Sequence, residues 1–437
     1  MRTNAKVKPI HTHEGAIASR VGVEEELRRT LMSCLLWEDG FYEAGALVSD
    51  RLKSLVAVCE PNTVADLAIE ARKVMRLRHA PLFVVRELAR RKSLPARLVS
   101  DTLYQVIDRA DELSEFLAMY WADGKQPLTR QVKDGLARAF TKFNAYQLAK
   151  YNQDSAIKLR DVLFMVHAKP KDEDQAATWK KLVDGTLEAP DTWEVALSAG
   201  SDKKETFERL ISEGKLGYMA LLRNLRNMNA AGVDATIVRN ALMAGAEKSK
   251  ALPFRYIAAA RAVPSWEPMV DEAMQVAMGS MPKMPGRTVI MVDVSGSMDD
   301  KLSAKSDLKR IDAACALAIL VRGICDDVEV ITFSNSAVIV PPRKGMALAD
   351  AINRSQPHSG TYLGKAVKDV VAQVKFDRII VITDEQSADA VPAAGDKAYM
   401  INVATNKNGV GYGPWTHVHG FSEAIIGYIQ ALERVER

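Results

Sequence analysis

Residues 288–298 read TVIMVDVSGSM. Thr288–Val292 is a short, largely apolar and β-branched run, the composition of a buried strand. It empties into a turn that carries a carboxylate at Asp293 and hydroxyls at Ser295 and Ser297. In an extended turn, side chains at alternate positions converge on one point, and Gly296 lets the backbone bend between the two serines. A strand that ends in such a loop is what a mostly parallel α/β sheet produces, because those sheets gather ligands at their carboxyl ends.

Downstream the alternation continues. Ser306–Ile324 reads as a helix, Val328–Phe333 and Ala337–Val340 as strands, and Leu363–Val374 as a helix. Arg378–Thr383 and Ala398–Val403 follow as strands, and Ser422–Val435 as a closing helix. Two further loops bring oxygen. SGTYLG places Thr361 just before a helix, and RIIVIT delivers Asp384 at a strand end. Asp293, Ser295, Ser297, Thr361 and Asp384 together offer carboxylates and hydroxyls, hard donors suited to one Mg²⁺ or Mn²⁺ ion. The DxSxS turn alone would equally serve as a cap; three segments in this order favour the cation. Asp299, Asp300 and Glu385 read as solvated loop charges rather than supporting groups. No nucleophile with a partnered base and no second metal cluster stands out, so the site reads as a binding site and the protein as no enzyme.

Upstream, residues 20–280 read almost wholly as helices, with apolar positions recurring at three and four, as in RQVKDGLARAFTKFNAYQLAKY. Moderate helices punctuated by prolines suggest stacked helical hairpins. The character changes at MGSMPKMPGR, residues 278–287, so the domains are expected at 1–283 and 286–437. The net charge of +4 is too small to demand a nucleic-acid partner. Its distribution says more: residues 71–100 hold nine Lys/Arg against the single acid Glu87. The four cysteines, Cys34, Cys59, Cys315 and Cys325, form no CxxC; Cys315 and Cys325, in or beside one apolar run, read as buried thiols, and a reducing compartment fits this usage. The N-terminus lacks the apolar core of a secretory signal, and no apolar run approaches the roughly 20 residues of a membrane span. A cytoplasmic protein without a membrane role is expected.

The set around Asp293 resembles the metal-ion-dependent adhesion site of von Willebrand factor A domains over about residues 286–437. The helical part resembles the TROVE module of the Ro ribonucleoprotein family in MRLRHAPLFVVRELAR (75–90), GYMALLRNLRNM (217–228), GVDATIVRNAL (232–242) and LPFRYIAAAR (252–261). The stretch from Leu136 to Pro170 is similar to that family's RNA-contacting region. The resemblance implies a HEAT-like helical-repeat ring, monomeric, closed by a Rossmann-like A domain with a mostly parallel sheet. It implies binding of small structured noncoding RNA of the Y type on the outer surface and of single-stranded ends of misfolded RNA in the hole. An exoribonuclease or RNA-repair enzyme would be the protein partner in RNA quality control. Lys150 and His167 fall on family positions that contact Y-type RNA. The chain departs from the family in its short length, in the acid at Asp154, and in Glu-Gln after Asp384 where Asn-Glu is common.

The residue chemistry stands beside the family. Arg138, Lys142, Lys150, Arg160 and Lys169 suit phosphates, and His167, Tyr146 or Tyr151 suit unpaired bases. Arg72, Arg76, Arg78 and Arg90 belong to the richest basic segment and are candidates for the hole. For each of these a solvated helix face competes, and His167, within VLFMVHA, is nearly as well read as a core histidine. The alternative reading of the whole is a metal-dependent protein-binding adaptor whose helices scaffold partners.

Overall fold

The computed structural model describes residues 9–18, 22–33, 45–152, 155–249, 251, 253–279, 281, 283–302, 308–404, 409–411 and 413–420, and also 425, 426, 429, 430 and 433. Asp154, Cys34, the start of the helix expected from Ser306 and most of the helix expected over 422–435 lie outside the described residues. Backbone contacts group the chain into two compact units. One holds residues 23–32 and 47–199, and the other the described residues of 1–22, 33–46 and 200–437.

The first unit is helical because its sequence repeats one local recipe. In Pro61–Lys73 proline opens the helix, where no amide partner is needed. The Glu60 carboxylate accepts from the amides of Asn62 and Thr63 at 2.6 and 3.3 Å. Arg72 and Lys73 sit in the last turn, where the helix dipole favours cations. The apolar stripe Val64, Ala65, Leu67, Ala68 and Ala71 is buried, the spacing of one helix face. Arg130–Phe140 starts from a Thr129 side-chain cap on Val132 at 3.3 Å and buries Val132, Leu136, Ala139 and Phe140. Gly135 on that face lets the helix close on Leu98–Val106: a β-carbon there would meet the backbone of Ser100 at 2.9 Å.

The second unit carries helices Lys203–Ser212, Tyr218–Ala230, Ala235–Ala246, Pro253–Ala262 and Glu267–Gly279, then the α/β part. Its chain begins with a two-stranded antiparallel hairpin, β1 (Ile10–His11) and β2 (Ile17–Ala18). The sheet is built from β3 (Met284–Asp293), β4 (Cys325–Phe333), β5 (Ala337–Ile339), β6 (Arg378–Thr383), β7 (Ala398–Asn402) and β8 (Thr416–His419). Their order is β5-β4-β3-β6-β7-β8, parallel throughout except for β4 against β5. Val289–Val292 and Ile379–Ile382 are fully buried, which is why both strands read as unbroken apolar runs. The chain leaves β3 through helix Arg310–Ile324 to β4 on one side and later places β6 on the other. The carboxyl ends of β3 and β6 therefore flank the point where strand order reverses.

β3 is longer than the apolar core of Thr288–Val292. Helix Gly345–Asn353, strand β8 and the hairpin add to the elements expected from sequence. No helix among the described residues is long and apolar enough to cross a membrane.

Candidate metal centre and nucleic-acid face

The end of β3 delivers Asp293 into the interior, and the end of β6 delivers Asp384; both side chains are fully buried. Asp293 Oδ1 accepts from the Ser295 amide at 2.8 Å, and Oδ2 from the Thr383 hydroxyl at 2.6 Å. The Ser297 hydroxyl donates to Asp384 Oδ2 at 2.6 Å, and the Ser295 and Ser297 hydroxyls lie 3.3 Å apart. The Gln386 amide donates to Asp384 Oδ1 at 3.1 Å. The second loop is brought in by backbone: the Gly296 amide donates to the Ser359 carbonyl at 2.9 Å. Thr361 is buried, and its carbonyl accepts from the Ala388 amide at 2.8 Å. The three sequence segments are thus hydrogen-bonded to one another.

Burial first, then the negative charge of Asp384, raises the Asp293 carboxyl above its ordinary value. Two buried carboxylates repel, and a cation relieves that cost. The Arg310 guanidinium lies 4.0 Å from Asp384 and supplies part of it. Among the described residues no group of three or more His, Cys, Asp and Glu is placed to hold a metal. The candidate set is of another kind: two carboxylates completed by hydroxyls, which fits a hard dication with water in its remaining positions.

The neighbouring acids are not loose loop charges. Asp299 receives the Lys309 ammonium at 2.8 Å and lies 2.6 Å from His358 Nδ1. Burial lifts its carboxyl, but those two partners outweigh burial and hold it low. Glu385, fully buried at a positive φ of 60°, lies 3.1 Å from His417 Nδ1.

The basic residues divide into two sets. Arg72 Nη2 reaches both carboxylate oxygens of buried Glu112, at 2.6 and 2.8 Å, while Nη1 donates to the Leu77 carbonyl at 3.1 Å. Arg78 pairs with Asp111 at 2.7 Å and Glu115 at 2.5 Å. Arg90 pairs with Asp123 at 2.8 Å and donates to the Tyr120 carbonyl at 3.1 Å. Arg76 alone of these four is exposed, at a positive φ of 56°. Arg138 pairs with Asp101 and stacks 5.0 Å from the Tyr104 ring centroid. The Lys142 ammonium donates to the carbonyls of Tyr104, at 2.7 Å, and Ile107, closing the end of helix Leu98–Val106. Burial is the largest influence on that ammonium and lowers its pKa.

The other set faces water. Arg160, His167 and Lys169 are exposed, and Lys150 is half-buried with its ammonium 5.9 Å from the Tyr151 ring. His167 is no core histidine: it ends helix Leu159–Val166 in the left-handed region, φ 53°. Between Arg160 and His167, at helical spacing, Phe164 stands 58% exposed. In sequence Phe164 lies inside the apolar run VLFMVHA. A Phe where the buried stripe is Leu159, Val162, Leu163 and Val166 falls off that stripe, which was the available signal.

Two domain families match. The TROVE domain matches residues 173–298, and the von Willebrand factor type A domain matches residues 288–386. The telomerase protein component 1 of Mus musculus is 47% identical over 49 residues, and that of Rattus norvegicus 45% over 49. The matched stretch is 11% of this chain and only 2% of the length of those proteins. The crystal structure of the Deinococcus radiodurans RO (RSR) protein is similar with a TM-score of 0.63 at 20% identity, over 95% of this chain and 100% of that one.

Proposed function

From a TROVE-domain protein with the Ro fold and a C-terminal von Willebrand factor type A domain, we propose a ribonucleoprotein component that binds RNA without catalysing a reaction on it. The observation that carries the reading is the face of helix Leu159–Val166 and its end: Arg160, Phe164, His167 and Lys169 are all exposed. Exposed cations attract phosphates, and an exposed phenyl or imidazole ring stacks on unpaired bases. The ligands in this reading are a small structured RNA of the Y type and single-stranded RNA ends, in RNA quality control. Domain limits of 1–283 and 286–437, with the Ile10–Ala18 hairpin of the first packed into the second, a monomeric ring and a cytoplasmic location belong to the same proposal. A gel-shift series with tailed and blunt duplexes across a salt range tests it. Affinity should fall steeply with salt through counterion release, and the tailed duplex should bind tighter. Salt-independent or absent binding would remove the reading.

In the A domain, Asp293, Ser295, Ser297, Thr361 and Asp384 would hold one Mg²⁺ or Mn²⁺. Gly296 is exposed and Ser297 half-buried, so the rim of this site is open. That openness favours a second role beside RNA binding: a partner protein's carboxylate completing the coordination, as in an adaptor.

A further inference from the structure

The N-terminal hairpin sits on the same loop that carries Asp384. Thr12, at its turn, is buried; its hydroxyl donates to the Ser387 carbonyl at 2.7 Å and accepts from the Ala16 amide at 3.0 Å. The His13 amide donates to Gln386 Oε1 at 2.8 Å. Ala16 is buried within the core cluster of Val289, Met291, Leu363 and Trp415, so the hairpin is packed into the A domain and not merely laid on it. Each gripped residue in turn touches a candidate ligand. The Gln386 amide donates to Asp384 Oδ1. The Ser387 hydroxyl lies 3.2 Å from the Thr361 carbonyl and accepts from the Leu363 amide at 3.2 Å, fixing the loop that holds Thr361.

Two of the three ligand-bearing segments are therefore tied together through one pair of residues, and the hairpin holds that pair from outside. We infer that the Ile10–Ala18 hairpin is a strap that positions Asp384 and Thr361 for the cation, so that metal occupancy and strap docking favour each other. The inference rests on the metal reading above. Groups that orient metal ligands typically contribute about 10–100-fold in affinity. Coupling of two binding events is reciprocal, so the ion must hold the strap down as firmly as the strap favours the ion.

The test uses the full chain and Mn²⁺ followed by paramagnetic resonance. Thr12→Val, which removes the hydroxyl at nearly constant volume, should weaken Mn²⁺ binding about tenfold. Thr12→Ser should restore it, which a general packing defect would not allow. In the unaltered protein, saturating Mn²⁺ should slow cleavage after Glu14 by a glutamate-specific protease, an outcome that depends on no variant folding. If the unaltered protein binds no Mn²⁺, the metal reading fails and takes the strap with it. If it binds Mn²⁺ while Thr12→Val binds equally well and cleavage is unaffected, the strap alone is wrong.

Discussion

The Arg-rich stretch 72–97 and the stretch 150–169 both present basic side chains in sequence, and the fold uses them in opposite ways. In the first, Arg72, Arg78 and Arg90 point at Glu112, Asp111, Glu115 and Asp123, acids supplied by chain some 33–40 residues further on. In the second, Arg160, His167 and Lys169 are left facing water. The richer window thus commits Arg72, Arg78 and Arg90 to the fold and leaves Lys73, Arg76, Lys92 and Arg97 exposed. Local charge density in a helical repeat reports how neighbouring hairpins are fastened together as often as it reports what the surface attracts.

The comparison breaks most sharply at Arg72. Glu112 is fully buried, and burial raises its carboxyl above its ordinary value even with Arg72 and Arg78 beside it. Arg72→Ala leaves that group without its main partner and should cost about 3–5 kcal/mol of stability in a urea melt. RNA affinity of the surviving folded protein should hardly move. The same network sets the acid response. For Asp108 and Glu115, burial raises the carboxyl, but their cationic partners outweigh it and hold both low. Their contribution is present above the ordinary carboxylate range and lost as pH falls through the depressed values. Glu112 acts in the opposite sense: its contribution is present at low pH and lost as pH rises through its raised value. Melting temperatures should fall as pH drops below about 4, and salt at neutral pH should leave them nearly unchanged.

The A domain gives the next largest effect. Mg²⁺ or Mn²⁺ at about 100 times its dissociation constant should stabilise the folded protein by roughly 2.7 kcal/mol, seen as a raised melting temperature. Asp293→Ala should abolish that gain, because a hard dication needs the carboxylate charge. Protons compete for Asp293, whose carboxyl is raised, so metal affinity should rise with pH through that raised range. A metal-induced gain that persists in Asp293→Ala would move the ion elsewhere. Packing comes after charge. Gly135→Ala should cost about 1–3 kcal/mol in the same melts, since its new methyl meets the Ser100 backbone at 2.9 Å.

How much of this was legible in sequence follows from range. β3 and β6 could be read because burial on both faces writes an unbroken apolar run, and Asp293 and Asp384 could be read because they terminate those runs. The hairpin could not: its strands are two residues each, and what orders them is Thr12 and Ala16 against a loop some 375 residues away. Strand β8, THVH, holds a single apolar residue, too little for a periodicity to show. Helix Gly345–Asn353 follows a proline pair and opens on a glycine at φ 57°, signals of a loop, yet Asp271 accepts from the Met346 amide at 2.8 Å and caps it. The division of the basic residues was invisible for the same reason, since no window of the chain contains both an arginine such as Arg90 and its partner Asp123.

The central claim is that exposed charge on 150–169, and not dense charge on 72–97, meets RNA. It is tested most directly by comparing two double variants, Lys150→Ala with His167→Ala and Arg76→Ala with Arg90→Ala, after thermal melts show both folded. Binding of a small structured RNA is measured at one fixed salt concentration. The first pair should lose on the order of 1–3 kcal/mol of affinity while its melt stays near that of the unaltered protein. The second should lose stability through Arg90 and keep most of its affinity. Equal affinity losses in both pairs, or a larger loss in the second, would contradict the account.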